Sequence, residues 1–221
     1  MRGVIFDLDG TLADSLMDIA AALNHVLGEL ALPRFAEAAI ERMVGDGARM
    51  LIRRALGARI ELEERALAAF QARYLEALSV HTRAYDGIDA LLDALEARGM
   101  PTAVLSNKPH AATVELVRAL FPRHPFTAVL GTRDDRTKKP DPSGALEIAS
   151  AMGLPPGEIL FVGDTPVDVE TARRAGMISV GALWGMRTRE ELEAAGAQHL
   201  IARPHELLEL LSPPGPGASR G

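Results

Sequence analysis

Cysteine is missing from all 221 residues of the chain. That absence excludes a disulfide framework, a thiol nucleophile and a cysteine-built zinc site. It suits a reducing compartment, and a cytoplasmic location is expected. No apolar run is long enough to span a bilayer, so no membrane partner is expected. The first strand pattern begins at Val4, so no secretory leader is expected. Basic residues form no cluster and the formal net charge is −6, which argues against a nucleic-acid partner. There is no internal repeat. What is present is apolar residue in quantity, 48% of the chain, in a length suited to one large domain or a core with a modest second domain. A monomer or a homodimer is expected.

The chain is organised around Val4-Ile5-Phe6-Asp7-Leu8-Asp9 and the turn Gly10-Thr11. A short apolar run closed by glycine reads as a buried strand, and residues two apart share a face, so Asp7 and Asp9 are expected side by side at its carboxyl end. Two carboxylates about 4 Å apart repel by roughly 4 kcal/mol at an effective dielectric of about 20. That is enough to raise one pKa by about 3 unless a cation intervenes. The pattern therefore suggests a divalent metal, or one protonated acid beside an ionised nucleophile. Two solvated aspartates at a strand end remain the plain alternative.

Helical spacing follows from Ser15 to Leu30, where Asp14 or Ser15 can cap the start. Further helical segments run from Ala36 to Val44, through Met50 to Gly57, and from Glu61 to about Val80. No strand is expected between Leu12 and Thr82. From Tyr85 the pattern alternates. Apolar runs at Thr102–Asn107, Ala128–Gly131, Ile159–Asp164, Ile178–Val180 and Leu200–Ile201 read as strands, with helices between them and Ser143 placed to cap one of those helices. The fold class is thus α/β, a doubly wound, mostly parallel sheet with an inserted α-helical block. Residues 1–13 and 83–211 are expected to form the core and 14–82 a helical cap, while the proline-rich tail 212–221 should be disordered.

Ligands of open α/β sheets bind outside the carboxyl ends of the strands. Those ends carry Asp7 and Asp9, Ser106-Asn107, the loop with Lys138-Lys139, and Asp164 with Asp168. Singly, each has a bland reading: a strand-ending turn, a solvated loop charge, a helix cap, a first-turn aspartate. Together they suit phosphoryl transfer to an aspartate, which needs donors and cations around three phosphoryl oxygens. Ser106 can donate to phosphate and Lys139 supplies a point charge. Asp164 and the first-strand aspartates offer hard oxygen ligands for Mg²⁺.

The string Asp7-Leu8-Asp9-Gly10-Thr11-Leu12-Ala13-Asp14-Ser15 closely resembles the nucleophile motif of the phosphatase branch of the haloacid dehalogenase superfamily. Ser106, Lys139-Pro140 and Gly163-Asp164-Thr165-Pro166-Val167-Asp168 match its later motifs in order. The helical insert and Val44-Gly45-Asp46-Gly47-Ala48 resemble the small cap and cap loop of the branch that includes phosphoglycolate phosphatase. The resemblance implies that Asp7 attacks phosphorus to form an aspartyl-phosphate, with Asp9 as acid and base. It further implies that Mg²⁺ is held by Asp7, the backbone carbonyl of Asp9 and Asp164, with Asp168 behind them. Gly10, Thr11, Ser106, Asn107 and Lys139 are then expected around the phosphate. Gly45, Asp46, Gly47 and Arg49 are expected to set specificity, Arg49 as the anchor for a small carboxylate. The implied function is hydrolysis of a small phosphate ester, most like phosphoglycolate. A sugar-phosphate mutase or a pyrophosphatase on the same scaffold stays open. A phospho-accepting signalling domain is disfavoured, since Asp9 sits two residues from the nucleophile and a helical insert follows.

Overall fold

The computed structural model describes residues 1–133 and 138–211. The tail 212–221, expected to be disordered, and residues 134–137 lie outside the described residues. The central sheet has six strands, all parallel, in the order β5-β4-β1-β6-β7-β8. These are β1 (Gly3–Phe6), β4 (Thr102–Pro109), β5 (Ala128–Thr132), β6 (Ile159–Gly163), β7 (Ile178–Ala182) and β8 (His199–Ile201). Alternation along the strands explains the layers. Val4, Phe6, Val104, Leu160 and Val162 enter one apolar cluster, while Ile5, Ala103, Leu105, Ile159 and Phe161 enter the other. Both faces are therefore buried, which is why the strands read as continuous apolar runs.

Helix α5 (Ile88–Ala97) and helix α6 (His110–Leu120) contribute Leu92 and Leu116 to the first cluster. Helix α7 (Ser143–Met152) and helix α8 (Pro166–Ala175) contribute Ile148 and Ala172 to the second. A short α9 (Arg189–Ala194) precedes β8. Strand β1 lies between β4 and β6, so the chain winds away from it in both directions. Its carboxyl end is the switch point at which such sheets open a crevice.

Between β1 and β4 stand α1 (Leu16–Glu29), α2 (Glu37–Glu41), α3 (Ala48–Leu56) and α4 (Glu63–Glu76). Leu23, Val26 and Leu27 of α1 join Leu51, Ile52, Leu67 and Phe70 in the insert's apolar interior. The insert is not wholly helical at its roots. Ala13–Asp14 forms a two-residue strand, β2, paired antiparallel with β3 (Arg83–Ala84), where the residue pattern predicted no strand before Thr82. Two residues carry too little periodicity to show; the pairing is imposed by the insert's entry and exit lying side by side. Asp18 fastens the same point by accepting from the backbone N–H groups of His81 and Thr82 and from the Thr82 hydroxyl. Burial alone would raise its pKa, but these hydrogen bonds carry it below the usual aspartate value.

Two expected caps also differ. Ser15 precedes α1 but makes no side-chain cap hydrogen bond; its hydroxyl donates to Asp9 instead, at 2.5 Å. Ser143 is the first residue of α7, preceded by Pro142, and Asp141 accepts from both its N–H and its hydroxyl. Among the described residues no helix is long and apolar enough to cross a membrane.

Candidate active site

Strand β1 ends at Phe6, so Asp7 and Asp9 lie in the turn beyond it and do not share a strand face. The Asp7 N–H still donates to the Val162 carbonyl at 2.8 Å, which fixes Asp7 against β6. The turn closes as the N–H groups of Leu12 and Ala13 donate to the Leu8 carbonyl at 3.0 and 2.8 Å. Gly10 makes this possible with φ of +86°, and any side chain there would run into the Asp164 carboxylate.

Asp7 is buried. Its Oδ1 lies 2.7 Å from the Lys139 ammonium and accepts from the Leu8 N–H at 2.7 Å. Its Oδ2 carries no hydrogen bond from any described residue. Lys139 is held from the far side by Asp168 Oδ1 at 2.6 Å, so it is no solvated loop charge. Asp168 is fully occupied: its Oδ2 accepts from the Thr165 N–H and hydroxyl, a capping box that starts α8. Thr165 is therefore the helix cap, and Asp164 is freed for other work. Asp164 Oδ1 accepts from the Thr11 hydroxyl at 2.9 Å and Oδ2 from the Met186 N–H at 2.8 Å.

Carboxylate oxygens of Asp7, Asp164 and Asp168 all lie within 4.8 Å of one another. A single ammonium cannot balance three buried carboxylates. Burial, followed by the charge of Asp168, pushes Asp164 up to about 7. Burial also raises Asp7 well above the aspartate range; Lys139 opposes the rise, and Asp168 and Asp164 add to it. Asp164 and Asp7 offer hard carboxylate oxygens in an anionic pocket, a set that fits a small divalent cation.

Asp9 is separated from that cluster. The Lys108 ammonium lies 2.8 Å from its Oδ1, and the Ser15 hydroxyl donates to the same oxygen. Each aspartate thus has its own lysine, and the mutual repulsion expected of a shared strand end is met by two separate cations. Lys108 is itself buried, and its ammonium donates to the Tyr74 hydroxyl from α4 at 2.6 Å.

The residues expected around phosphate divide. Ser106 is buried on the cavity wall, and its Oγ accepts from the Lys108 N–H, so its own proton has no acceptor among the described residues. Gly10 and Thr11 build the turn instead: the Gly10 N–H donates to the Ala13 carbonyl, and the Thr11 hydroxyl donates to Asp164. Asn107 lines the cavity, but its amide hydrogens go to the carbonyls of Gly45 and Lys139, which leaves its buried Oδ1 without a partner. Its amide ties the end of β4 to the loops at Gly45 and Lys139.

A cavity of about 210 Å³ lies between the sheet end and the insert, with Asp7, Asp9, Ser106 and Lys108 on one side. Gly45, Gly47 and Ala48 face them from the cap loop. Gly47 has φ of +84°, and a Cβ there would sit 3.0 Å from the Asn107 carbonyl, so close approach of the loop depends on glycine. Asp46 is turned to Arg54, and its carbonyl accepts from the Lys138 ammonium at 3.3 Å. Arg49 is turned away from the cavity wall and ion-pairs with Glu63 at 2.6 Å and Glu64 at 2.5 Å. The carboxylate anchor expected at Arg49 is occupied by the protein's own carboxylates.

A family model described as haloacid dehalogenase-like hydrolase matches residues 4–182. The chain belongs to that hydrolase family. It is 37% identical over 228 residues to a phosphoglycolate phosphatase of Rhodospirillum rubrum, covering 99% of this chain and 94% of that protein. It is 34% identical over 211 residues to a phosphoglycolate phosphatase of Aquifex aeolicus, covering 96% and 97% of the two chains. Among solved structures, a predicted phosphoglycolate phosphatase from Haemophilus somnus superposes with a TM-score of 0.86 at 27% identity, covering 95% of this chain and 97% of that one.

Sequence reasoning missed three residues of this haloacid dehalogenase-like site. Lys108 stands two residues after Ser106 on a strand that continues to Pro109, and both line the cavity, but a register irregularity between Leu105 and Pro109 breaks the alternation that spacing would use. Tyr74 and Arg187 had no signal, because their partners come from distant segments. The Arg187 guanidinium donates to the carbonyls of Glu41 and Val44, at 3.0 and 2.6 Å, and so fastens the loop after β7 to the insert.

Proposed function

We propose that this haloacid dehalogenase-like hydrolase is a Mg²⁺-dependent phosphomonoesterase. Its substrate is a small phosphorylated metabolite such as phosphoglycolate, and it works through an aspartyl-phosphate on Asp7. The observation that carries the reading is the state of Asp7: one carboxylate oxygen is pinned by Lys139 and the Leu8 N–H, and the other has no partner among the described residues. An oriented carboxylate with one open oxygen at a cavity wall is a positioned nucleophile.

In the first step Asp7 Oδ2 bonds to phosphorus while the ester P–O bond breaks, and the departing oxygen takes the Asp9 proton. In the second, Asp9 takes a proton from water, the water oxygen bonds to phosphorus, and the Asp7–phosphorus bond breaks to release inorganic phosphate. Lys108 and Ser15 hold the Asp9 carboxylate in place for both transfers. Ser106 and Lys139 supply a donor and a positive charge to the phosphoryl oxygens. Asp7, Asp164 and the Asp9 carbonyl would hold Mg²⁺, with Asp168 behind through Lys139. That ion supplies the charge that offsets repulsion between an anionic nucleophile and an anionic phosphate. Residues 14–82 serve as the cap that covers the leaving group, on the core formed by 1–13 and 83–211.

The relatives named above and the acidic cluster support this reading. Phosphate release from a panel of phosphomonoesters, with Mg²⁺ and with chelator, tests it. Release that depends on Mg²⁺ and includes phosphoglycolate is expected. Absence of release from every ester in the presence of Mg²⁺ would overturn it.

A further inference from the structure

Lys108 sits on the leaving-group side of the cavity, and nothing above yet gives it a task beyond holding Asp9. It is 7% exposed and is the one cation among the described residues that line the cavity. An ammonium has three donors. Two are directed to Asp9 Oδ1 at 2.8 Å and the Tyr74 hydroxyl at 2.6 Å; the third has no hydrogen-bond partner among the described residues. The Tyr74 ring centroid lies 4.3 Å from the same nitrogen, so the cation is held in place by a side chain of the insert. The rest of the wall is mostly apolar, with Ile19, Val44, Leu51, Phe70 and Leu75. An anion set against those side chains would be desolvated without compensation. Among the described residues that line the cavity, the only side-chain cation available to a second negative charge is therefore the ammonium that already touches Asp9.

That place is chemically specific. Asp9 must reach the ester oxygen in order to protonate it, so a group that contacts Lys108 lies close to that oxygen. We propose that Lys108 is the specificity-determining residue of the cavity: it binds a carboxylate attached to the carbon that bears the ester oxygen. The inference rests on the phosphomonoesterase reading and deepens it, because it assigns recognition to the sheet end and not to Arg49 of the cap loop. It also predicts poor use of esters whose leaving group carries several hydroxyls, since the apolar wall gives those few partners.

Steady-state kinetics of the Mg²⁺-loaded enzyme on 2-phosphoglycolate, p-nitrophenyl phosphate and pyrophosphate test the assignment, with Lys108→Met and Lys108→Arg beside the wild type. Losing Lys108 also disturbs Asp9, so both esters should suffer in Lys108→Met. The loss in kcat/KM should be at least about 10-fold larger for 2-phosphoglycolate, and visible in KM, as expected for one charged hydrogen bond. Lys108→Arg should regain part of that difference. Equal losses on the two esters, or none, would overturn the assignment, the first by confining Lys108 to Asp9. A selective loss on pyrophosphate would overturn it in favour of a leaving phosphate. Wild-type enzyme that turns over neither ester fails the phosphomonoesterase reading itself. Wild-type enzyme that turns over only the aryl ester leaves that reading standing and overturns the carboxylate assignment. Circular dichroism melts establish folding. Should Lys108→Met not fold, Tyr74→Phe carries the comparison: both esters should suffer, 2-phosphoglycolate more and in KM, and equal losses would overturn the assignment.

Discussion

The sheet end and the cap loop both face the cavity, but they are built to different standards. At the sheet end Lys139, Asp168 and Asp164 are buried and held by contacts of 2.6 to 3.0 Å, two of them from backbone N–H groups. At the insert, Asp46 pairs with Arg54 at side-chain exposures of 32% and 36%, and Glu64 beside Arg49 is 79% exposed. Exposed pairs of that kind are screened by salt and contribute about 0–1 kcal/mol. On the proposed function the difference follows from two tasks: the phosphoryl group is the same in every ester, so the side that binds it can be rigid, whereas a cover over the leaving group has to move to let substrate in and product out.

The largest effect should come from the rigid side. Asp7→Asn removes the nucleophile while keeping its shape, and kcat should fall by at least about 10³-fold with the thermal melt preserved. A variant that retains more than about a tenth of wild-type kcat would break the assignment of Asp7, because that corresponds to only about 1.4 kcal/mol.

Next comes the coupling of metal, pH and stability. In the metal-free protein Asp164 is pushed up to about 7, against about 3.9 in an unfolded chain. The native state then binds this proton more tightly than the unfolded state does. The stability it contributes is full below about pH 4 and is lost as pH rises through about 7. The raised pKa of Asp7 acts in the same direction. Metal binding needs the ionised carboxylates and reverses the trend. Mg²⁺ should therefore raise Tm by about 5 °C or more at pH 8 and far less at pH 5, as read by calorimetry. In Asp164→Asn both the pH trend and the Mg²⁺ shift should shrink. Equal Mg²⁺ shifts at the two pH values would contradict this account of the cluster.

On the cap side the effects should be smaller and should fall on KM. Arg187→Ala cuts the hydrogen bonds to the Glu41 and Val44 carbonyls that hold the insert to the loop after β7. A KM increase of about 3- to 10-fold with kcat within about 3-fold is expected. Arg49→Ala should be the mildest, with KM for carboxylated esters changed less than about 3-fold, because the guanidinium already belongs to Glu63. A selective 10-fold rise in that KM would return the anchor to Arg49 and blur the contrast between the two regions.

Much of the sheet end was legible in the sequence because it lies at strand ends, and strands of a doubly wound sheet announce themselves as apolar runs. Asp7, Ser106, Lys139, Asp164 and Asp168 could each be placed by counting from such a run. Their partners could not. Thr11 reads as a donor to phosphate until Asp164, 153 residues away, is seen to take its hydroxyl. Arg49 reads as a free cation at a helix start until α4 folds Glu63 against it. Lys108 was hidden because the strand was expected to stop one residue earlier, and because a lysine in a loop is normally solvated. The two-residue strands β2 and β3 carry no pattern at all; only the return of the chain to the same point pairs them. Local pattern gives positions, and long-range pairing decides which of those positions remain free to act.

The central claim is that the open oxygen of Asp7 carries the phosphoryl group between two steps that Asp9 serves. Asp9→Asn should slow both proton transfers, by about 10²–10⁴-fold. With p-nitrophenyl phosphate, whose leaving group needs little protonation, the first step should survive better than the second. Acid-quenched Asp9→Asn protein incubated with that ester and Mg²⁺ should then show the mass of one added phosphoryl group, localised by peptide mapping to Asp7 and absent from Asp7→Asn/Asp9→Asn. Continued turnover with no phosphorylated enzyme at any quench time, or a phosphoryl group mapped to another residue, would contradict the account.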